Sequence, residues 1–483
     1  MSHRAPRDWA ELVITLAEAG QQDWTAIEFG DERISIGELA DAMCRAAGAL
    51  RGGRGTVAVS TSNPIDHTVG VLGAVAAGRT AMLVDAKVPD ALLAEIAAAG
   101  FVTTSVGRRL DGVELVGQRA LAGAAPVDPA PVDPRQIGSI FLTSGSTGVP
   151  KMVQRSRSAD LHAAMCLRLA NFPIDPGDRH WMSVPFASAA FLTLLMGAVF
   201  TRATVVIAPF RATGVNRFLE EKRISSTYLV PTMLRLAAAE EGLDGAGWRG
   251  LRGLMVGGER LDRRTRESLP EDLVKRAFLA YGMTEIPRPT EATPADLDAR
   301  PGTVGRAIPM RQLRIVTVGT ETDVAIGEEG EVLVTGPDLY EGYLGMGPAG
   351  KWHHTGDLGR LDDDGFLYIT GRASSVVQVG GNRVSTEEVA STLRGHPDVE
   401  QAAVVPVDDP IWTVRLEGFV VPRDGASLAE DDLRDWMRER QPAYKVPRRL
   451  HVIPELPSDD SGKLSLETLR RISAEAEAPT SDR

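Results

Sequence analysis

The stretch Ser139-Ile140-Phe141-Leu142-Thr143-Ser144-Gly145-Ser146-Thr147-Gly148-Val149-Pro150-Lys151 decides how the rest of the chain is read. Its first four residues read as the end of a buried strand, and Thr143 to Lys151 as a polar, glycine-rich loop. Glycine lets backbone N–H groups turn towards an anion with no Cβ in the way. The hydroxyls of Thr143, Ser144, Ser146 and Thr147 add donors, Gly145 and Gly148 add freedom, and Lys151 adds a positive charge. Such a set suits a polyphosphate. It is not the Walker A loop, because no Gly-Lys-Ser/Thr closes it. A Ser/Gly-rich surface linker is the plainer alternative, but a linker rarely follows an apolar strand directly or ends in Pro-Lys.

Outward from this loop the chain alternates strands and helices. Upstream, helices are expected over 8–20, 37–50 and 65–77, the last ending at Gly78, with strands over 34–36, 56–60 and 81–85. Residues 123–136, rich in Ala, Pro and Asp, read as a loop. Downstream, a helix is expected over 158–170 and strands over 181–185, 203–207 and 227–230. Leu254-Met255-Val256 leads into Gly257-Gly258-Glu259, and Phe278-Leu279-Ala280 into Tyr281-Gly282-Met283-Thr284-Glu285. The alternation implies an α/β fold with parallel pairing. Ligands of open α/β sheets sit outside the carboxyl ends of the strands, so these loops are expected to converge on one site. From residue 302 shorter β-type runs take over, and a small α+β unit starts around 371–376.

Composition narrows the function classes. The 483 residues are 43% hydrophobic and 24% charged, the profile of an ordinary globular protein with room for more than one domain. A net charge of −12 argues against a nucleic-acid binder or an anionic-membrane binder. Cys44 and Cys166 are far apart and form no metal spacing, which fits a reducing cytoplasm. No apolar leader is visible after Met1, and no uncharged apolar run is long enough to cross a membrane.

Taken together, the loops resemble those of the adenylate-forming superfamily of acyl-CoA synthetases, stand-alone adenylation domains and firefly luciferase. The resemblance runs from Ile34-Ser35-Ile36-Gly37-Glu38-Leu39 to Ser461-Gly462-Lys463. Thr143–Lys151 resembles the family's phosphate loop, Tyr281–Glu285 its adenine and magnesium motif, and His354-Thr355-Gly356-Asp357 its ribose motif. Gly371-Arg372, Gly380-Gly381-Asn382-Arg383-Val384 and Glu387-Glu388 resemble the hinge and the start of its mobile domain. The fold implied is α/β: a large multi-sheet N-terminal domain, residues 1–371, with a β-rich subdomain, and a small mobile α+β domain, residues 372–483, hinged near 372–375.

The resemblance implies a two-step reaction. A carboxylate attacks the α-phosphate of ATP and releases pyrophosphate, and a thiol of coenzyme A or of a carrier protein's phosphopantetheine then displaces AMP. Thr143, Ser144, Gly145, Ser146, Thr147, Gly148 and Lys151 would hold the β- and γ-phosphates, and Glu285 would bind Mg²⁺, a hard cation that favours carboxylate and phosphate oxygens. Gly258, Glu259, Ala280, Tyr281, Gly282 and Met283 would cradle the nucleotide, with Tyr281 stacked on adenine. Thr284 would approach the α-phosphate, Asp357 would accept both ribose hydroxyls, and Arg372 would add a ribose or phosphate contact. Lys463 is the expected adenylation lysine, an ammonium that stabilises charge developing in the transition state. Each residue alone has a plainer reading: a solvated lysine, a capping glutamate, a core tyrosine or a turn aspartate.

Two departures bear on the cycle and the acid. The hinge position, usually Asp or Lys, is Ser374. Phe186 is followed by Ala187 and Ser188, where amino-acid-activating relatives place an aspartate for the substrate ammonium. A buried ammonium without a carboxylate is costly, so ordinary α-amino acids are disfavoured. The expected acid is small, in a fairly apolar pocket of Phe186, Ala187, Ser188 and Gly257. Two rivals are a transfer to a non-thiol acceptor such as an amine, and a nucleotide-binding regulator on the same fold.

Overall fold

The computed structural model describes residues 5–20, 22–143, 151–259, 261, 263–373, 376–379, 382–409, 413–458 and 464–477. The chain divides into two compact units, Met1–Leu313 with Val334–His353 and Asp363–Tyr368, and Arg314–Leu333 with His354–Asp362 and Ile369–Arg483. The fold is mixed α/β, with large sheets in the N-terminal part and a smaller α+β C-terminal part, as the sequence implies.

Two large sheets build the first unit. In the nine-stranded sheet, Ala277–Tyr281, Gly253–Gly257, Ser226–Leu229, Arg179–Met182, Thr204–Ile207 and Thr25–Phe29 lie side by side in that order, all parallel. Antiparallel strands close both of its edges. In the seven-stranded sheet, Ile137–Thr143 pairs in parallel with Thr80–Leu83 and antiparallel with Lys151–Ser156, whose far side takes Gly342–Tyr343. One apolar cluster joins both sheets through the helices Trp9–Glu18, Ile36–Leu50, Pro64–Ala76, Arg157–Leu169 and Ala189–Phe200.

Local chemistry explains the helix starts. Ser35 and Glu38 form a reciprocal capping box, with Glu38 N–H donating to Ser35 Oγ at 3.2 Å and Ser35 N–H to Glu38 Oε2 at 2.8 Å. Asn63 caps the next helix, ahead of Pro64 at its first position. The helix Ala189–Phe200 is apolar all round and is buried accordingly. The helix expected over 158–170 runs from Arg157 to Leu169, because Ser156 Oγ accepts the Ala159 N–H at 3.2 Å. Residues 123–136 carry no strand and only the last residue of a short helix. The core also holds ion pairs that no pattern announced: Arg157 with Asp8 at 2.8 Å, Arg155 with Asp160 at 3.1 Å, and Arg311 with Asp338.

In the second unit, Val399–Asp409 and Thr413–Pro422 pair antiparallel, and Arg449–Val452 adds in parallel. The helices Thr386–Arg394 and Glu430–Arg440 bury Val389, Leu393, Leu433 and Met437 in the cluster with this sheet. A further four-stranded sheet, in the order Gln312–Val316, Gly330–Thr335, His353–Leu361 and Leu367–Arg372, carries the His354–Asp357 motif on its third strand.

Candidate active site

The two ends of the phosphate-type loop are fixed opposite each other. Thr143 faces Lys151 across the antiparallel pair, and Thr143 Oγ1 donates to the Lys151 carbonyl at 3.2 Å. Ser144, Gly145, Ser146, Thr147 and Gly148 lie outside the described residues. The strand that starts at Lys151 pairs on its other side with Gly342–Tyr343, which sets Tyr343 opposite Val153. Lys151 Nζ then lies 4.8 Å from the centroid of the Tyr343 ring. The phenol of Tyr343 donates to Glu285 Oε1 at 2.8 Å, and the Tyr340 N–H donates to the Glu285 carbonyl at 2.8 Å. Tyr340 packs edge-on to Tyr343, with ring centroids 5.0 Å apart. Burial, reinforced by Glu285, pushes the Tyr343 hydroxyl far above its ordinary pKa, so it stays a donor. The fold thus brings Thr143, Lys151 and Glu285 to one corner through two tyrosines that the sequence reading missed. The available signal was faint: two of the chain's six tyrosines fall within the four residues Tyr340-Glu341-Gly342-Tyr343.

Beside this corner, Gly257 pairs with Ala280, which sets the 257–259 loop next to Tyr281–Glu285. A Cβ on Gly282 would sit 2.4 Å from the Arg288 backbone nitrogen, so only glycine lets this turn close. Gly258 has φ 78°, and a Cβ there would meet the Tyr228 hydroxyl at 3.0 Å. Tyr281, Met283 and Thr284 are half-buried. The Glu259 carboxylate accepts from Thr232 N–H at 3.2 Å and from Thr232 Oγ1 at 2.7 Å, at the start of the helix Pro231–Glu241. That placement favours its helix terminus.

The expected acid wall has a histidine behind it. Phe186 lies 5.1 Å from the His67 ring and 6.3 Å from Phe191, all centroid to centroid. Ala187 is buried, and Ser188 Oγ accepts the Phe191 N–H at 3.1 Å as the cap of Ala189–Phe200. His67 is buried with neither ring nitrogen hydrogen-bonded, and burial pushes its pKa down to about 3.

In the second unit Asp357 is 4% exposed and pairs with Arg372 Nε at 2.7 Å. Thr355 Oγ1 donates to the Val332 carbonyl at 2.8 Å and accepts the Asp357 N–H at 3.0 Å. His354 is held between Glu331 at 3.1 Å and Glu321 at 2.9 Å. Burial opposes its charge, but the two carboxylates outweigh burial and hold its pKa above the ordinary value. Lys463 and Ser374 lie outside the described residues.

Among the described residues no cluster of three His, Cys, Asp or Glu side chains could hold a metal by protein ligands alone. A single carboxylate completed by substrate phosphates is how Mg²⁺ is commonly held. Glu285, with one oxygen taken by a phenol whose ring faces the Lys151 ammonium, fits that arrangement. No helix among the described residues is long and apolar enough to cross a membrane.

Comparison with known proteins agrees with the motifs. The AMP-binding enzyme model matches residues 15–344, and the AMP-binding enzyme C-terminal domain model matches 388–463. The chain is 32% identical over 340 residues to a 2-succinylbenzoate–CoA ligase of Bacillus licheniformis, covering 68% of each chain. It is 30% identical over 375 residues to a feruloyl-CoA synthase of Amycolatopsis, covering 74% of this chain and 73% of that one. ATP-bound MatB from Rhodopseudomonas palustris superposes with a TM-score of 0.88 at 23% identity, over 97% of this chain and 99% of that one. MenE from Bacillus subtilis, in complex with the acyl-adenylate OSB-AMP, gives 0.84 at 24%, over 95% and 97%. With a family model spanning most of its length and the loop motifs in order, the chain belongs to the AMP-binding enzymes, the adenylate-forming superfamily.

Proposed function

We propose that the protein is an ATP-dependent acid–thiol ligase that activates a small carboxylic acid as its adenylate and passes the acyl group to coenzyme A. The carboxylate oxygen attacks the α-phosphorus, the bond to the bridging oxygen breaks, and pyrophosphate leaves. The thiolate then attacks the acyl carbon and AMP leaves with its electron pair. The observation that supports this most is the corner where Tyr343 meets both Lys151 and Glu285, at the start of the strand that leaves the glycine-rich loop.

In this reading Lys151 neutralises the β- and γ-phosphates together with Thr143, Ser144, Ser146, Thr147 and the backbone of Gly145 and Gly148. Glu285 would hold Mg²⁺, which would supply charge neutralisation for the phosphates. Tyr281 stacks on adenine within the backbone of Gly258, Ala280, Gly282 and Met283, and Thr284 approaches the reacting carboxylate. Asp357 accepts the ribose hydroxyls while Arg372 offsets its charge. Glu259 acts at one remove, since its carboxylate already serves Thr232. Phe186, Ala187 and Gly257 offer an apolar wall, and Ser188 is engaged as a cap. Lys463 stabilises the charge of the adenylation transition state, and rotation near 372–375 exchanges it for the thiol step. Relatives named for 2-succinylbenzoate and ferulate make aromatic acids the first class to offer, with CoA ahead of a carrier protein or an amine as acceptor.

The test is acid-dependent exchange of labelled pyrophosphate into ATP across aryl, short aliphatic, β-hydroxy, dicarboxylic and amino acids, followed by product analysis with and without CoA. Exchange with one acid class, and a CoA-dependent thioester, are expected. Lys463→Ala is expected to suppress exchange while a supplied adenylate still reacts with CoA. Equal loss of both half-reactions would contradict the role given to Lys463, and no exchange despite ATP binding would favour a regulator.

A further inference from the structure

One side chain touches both the phosphate-type loop and the magnesium-type motif, and neither motif contains it. Tyr343 donates its hydroxyl to Glu285 Oε1 at 2.8 Å and turns its ring face to Lys151 Nζ at 4.8 Å. We propose that Tyr343 is a positioning residue that couples the two: its hydroxyl orients the Glu285 carboxylate towards Mg²⁺, and its ring seats Lys151 until phosphate is offered. The inference rests on the roles given above to Glu285 and Lys151.

The backbone makes this placement firm. Tyr343 sits on the strand paired with the one that begins at Lys151. On either side of it, the Glu341 N–H donates to the Gln154 carbonyl and the Leu344 N–H to the Met152 carbonyl, each at 2.8 Å. Tyr340 braces the ring from its edge, and its own N–H holds the Glu285 carbonyl. A rotation of the phenol is therefore resisted from both the chain and the neighbouring ring.

The chemistry of the donor matters as much as its place. A carboxylate has two oxygens and about four acceptor positions. A phenol that occupies Oε1 leaves the other oxygen for a cation and fixes the plane of the group. It also brings no charge. Among the described residues no arginine or lysine forms an ion pair with Glu285. A cation over a ring is held weakly enough to leave when phosphate oxygens are offered. Outer partners of this kind commonly change metal affinity by about ten- to a hundredfold when removed.

The two contacts separate by mutation, since Tyr343→Phe keeps the ring and Tyr343→Leu removes both. The measurement is ATP binding by calorimetry over a Mg²⁺ titration, with the manganese ion's magnetic resonance spectrum as a second readout of metal binding. Tyr343→Phe is expected to raise the half-saturating Mg²⁺ about tenfold while ATP binding without metal is unchanged. Tyr343→Leu is expected to weaken metal-free ATP binding as well. In a Glu285→Gln background Tyr343→Phe should shift the Mg²⁺ dependence no further. The proposal is overturned if Tyr343→Phe leaves that dependence unchanged in otherwise normal protein, or moves it equally with and without the Glu285 carboxylate. A wild type whose ATP binding ignores Mg²⁺ would overturn the reading of Glu285, and this inference with it.

Discussion

Glu285 and Asp357 are both carboxylates of the sequence motifs, one in a loop and one in the strand His353–Leu361, and the protein holds them in opposite ways. Glu285 is held by the neutral phenol of Tyr343. Asp357, far more deeply buried, is held by the guanidinium of Arg372. A neutral donor orients a carboxylate and leaves its charge intact, which is what a dication needs. A guanidinium cancels that charge while the group stays an acceptor, which suits uncharged hydroxyls. A buried carboxylate without such a partner would be costly. On the roles proposed above, the same residue class is tuned to two ligand chemistries by what stands behind it.

The sharpest way to break this comparison is to neutralise each carboxylate in turn. Glu285→Gln keeps an acceptor for Tyr343 but removes the charge. Pyrophosphate exchange at saturating acid is expected to fall on the order of a hundredfold, as when one preorganised electrostatic group is lost. Asp357→Asn retains an acceptor oxygen and needs no compensating charge. Its effect is expected to be smaller, about a tenfold rise in the KM for ATP with kcat less affected, the size of a weakened charge-assisted hydrogen bond. Steady-state exchange kinetics of both variants checks the order. Equal losses in the same parameter would mean that the two carboxylates do the same work.

The residues of this comparison were unequally legible in the sequence. Lys151, Glu285 and Asp357 each lie in a polar or glycine-containing stretch whose residue order carries chemistry by itself. Asp357 still surprised in one respect. Taken alone it reads as a turn residue, yet it lies within the strand His353–Leu361, after Gly356 at φ 71°. Tyr343 left only a faint signal because its partners come from pairing between distant segments, Gly342 with Gln154 and Tyr343 with Val153. His67 was hidden for the same reason, since only the packing of its helix against the 183–188 segment brings it to Phe186. Among the elements, the strongly apolar strands and the amphipathic helices were readable. The helix Asp90–Ala98 was not, because it buries only Leu93 and Ile96 and its alanines give no periodicity. Buried ion pairs such as Arg311 with Asp338 leave no local pattern at all.

What stands behind a titratable group also separates two histidines, one without a hydrogen bond and one between carboxylates, and there it predicts pH dependence. His67 is buried without a hydrogen bond, and its pKa falls to about 3 from an ordinary 6.5. Its folded pKa is depressed, so the stability it permits is present above pH 6.5 and is lost as pH falls towards 3. The unfolded chain takes up a proton that the native state refuses, at a cost of up to ~1.4 kcal/mol per pH unit. His67→Phe removes that term and two unpaired polar atoms while keeping a ring of similar shape. At pH 7.5 it is expected to be neutral or stabilising by about 1 kcal/mol. The advantage over wild type should widen on acidification below pH 6.5, read as the difference in denaturation midpoints. A gap that stays constant with pH would show that His67 is not held neutral.

His354, three residues before Asp357, should show the opposite slope with a smaller amplitude. Glu321 and Glu331 hold its pKa above the ordinary 6.5 in spite of partial burial. Its stabilisation is therefore fully present below pH 6.5 and is lost as pH rises through the elevated folded value. The ring is 41% exposed, so solvent screening keeps the contribution under about 1 kcal/mol. His354→Gln should then lower the denaturation midpoint at pH 5.5 and leave it almost unchanged at pH 9. Added salt should shrink the difference at pH 5.5, because exposed pairs are screened. If His354→Gln and His67→Phe instead moved stability with the same sign of slope, partners would not be what distinguishes these sites. Burial alone would then govern both imidazoles.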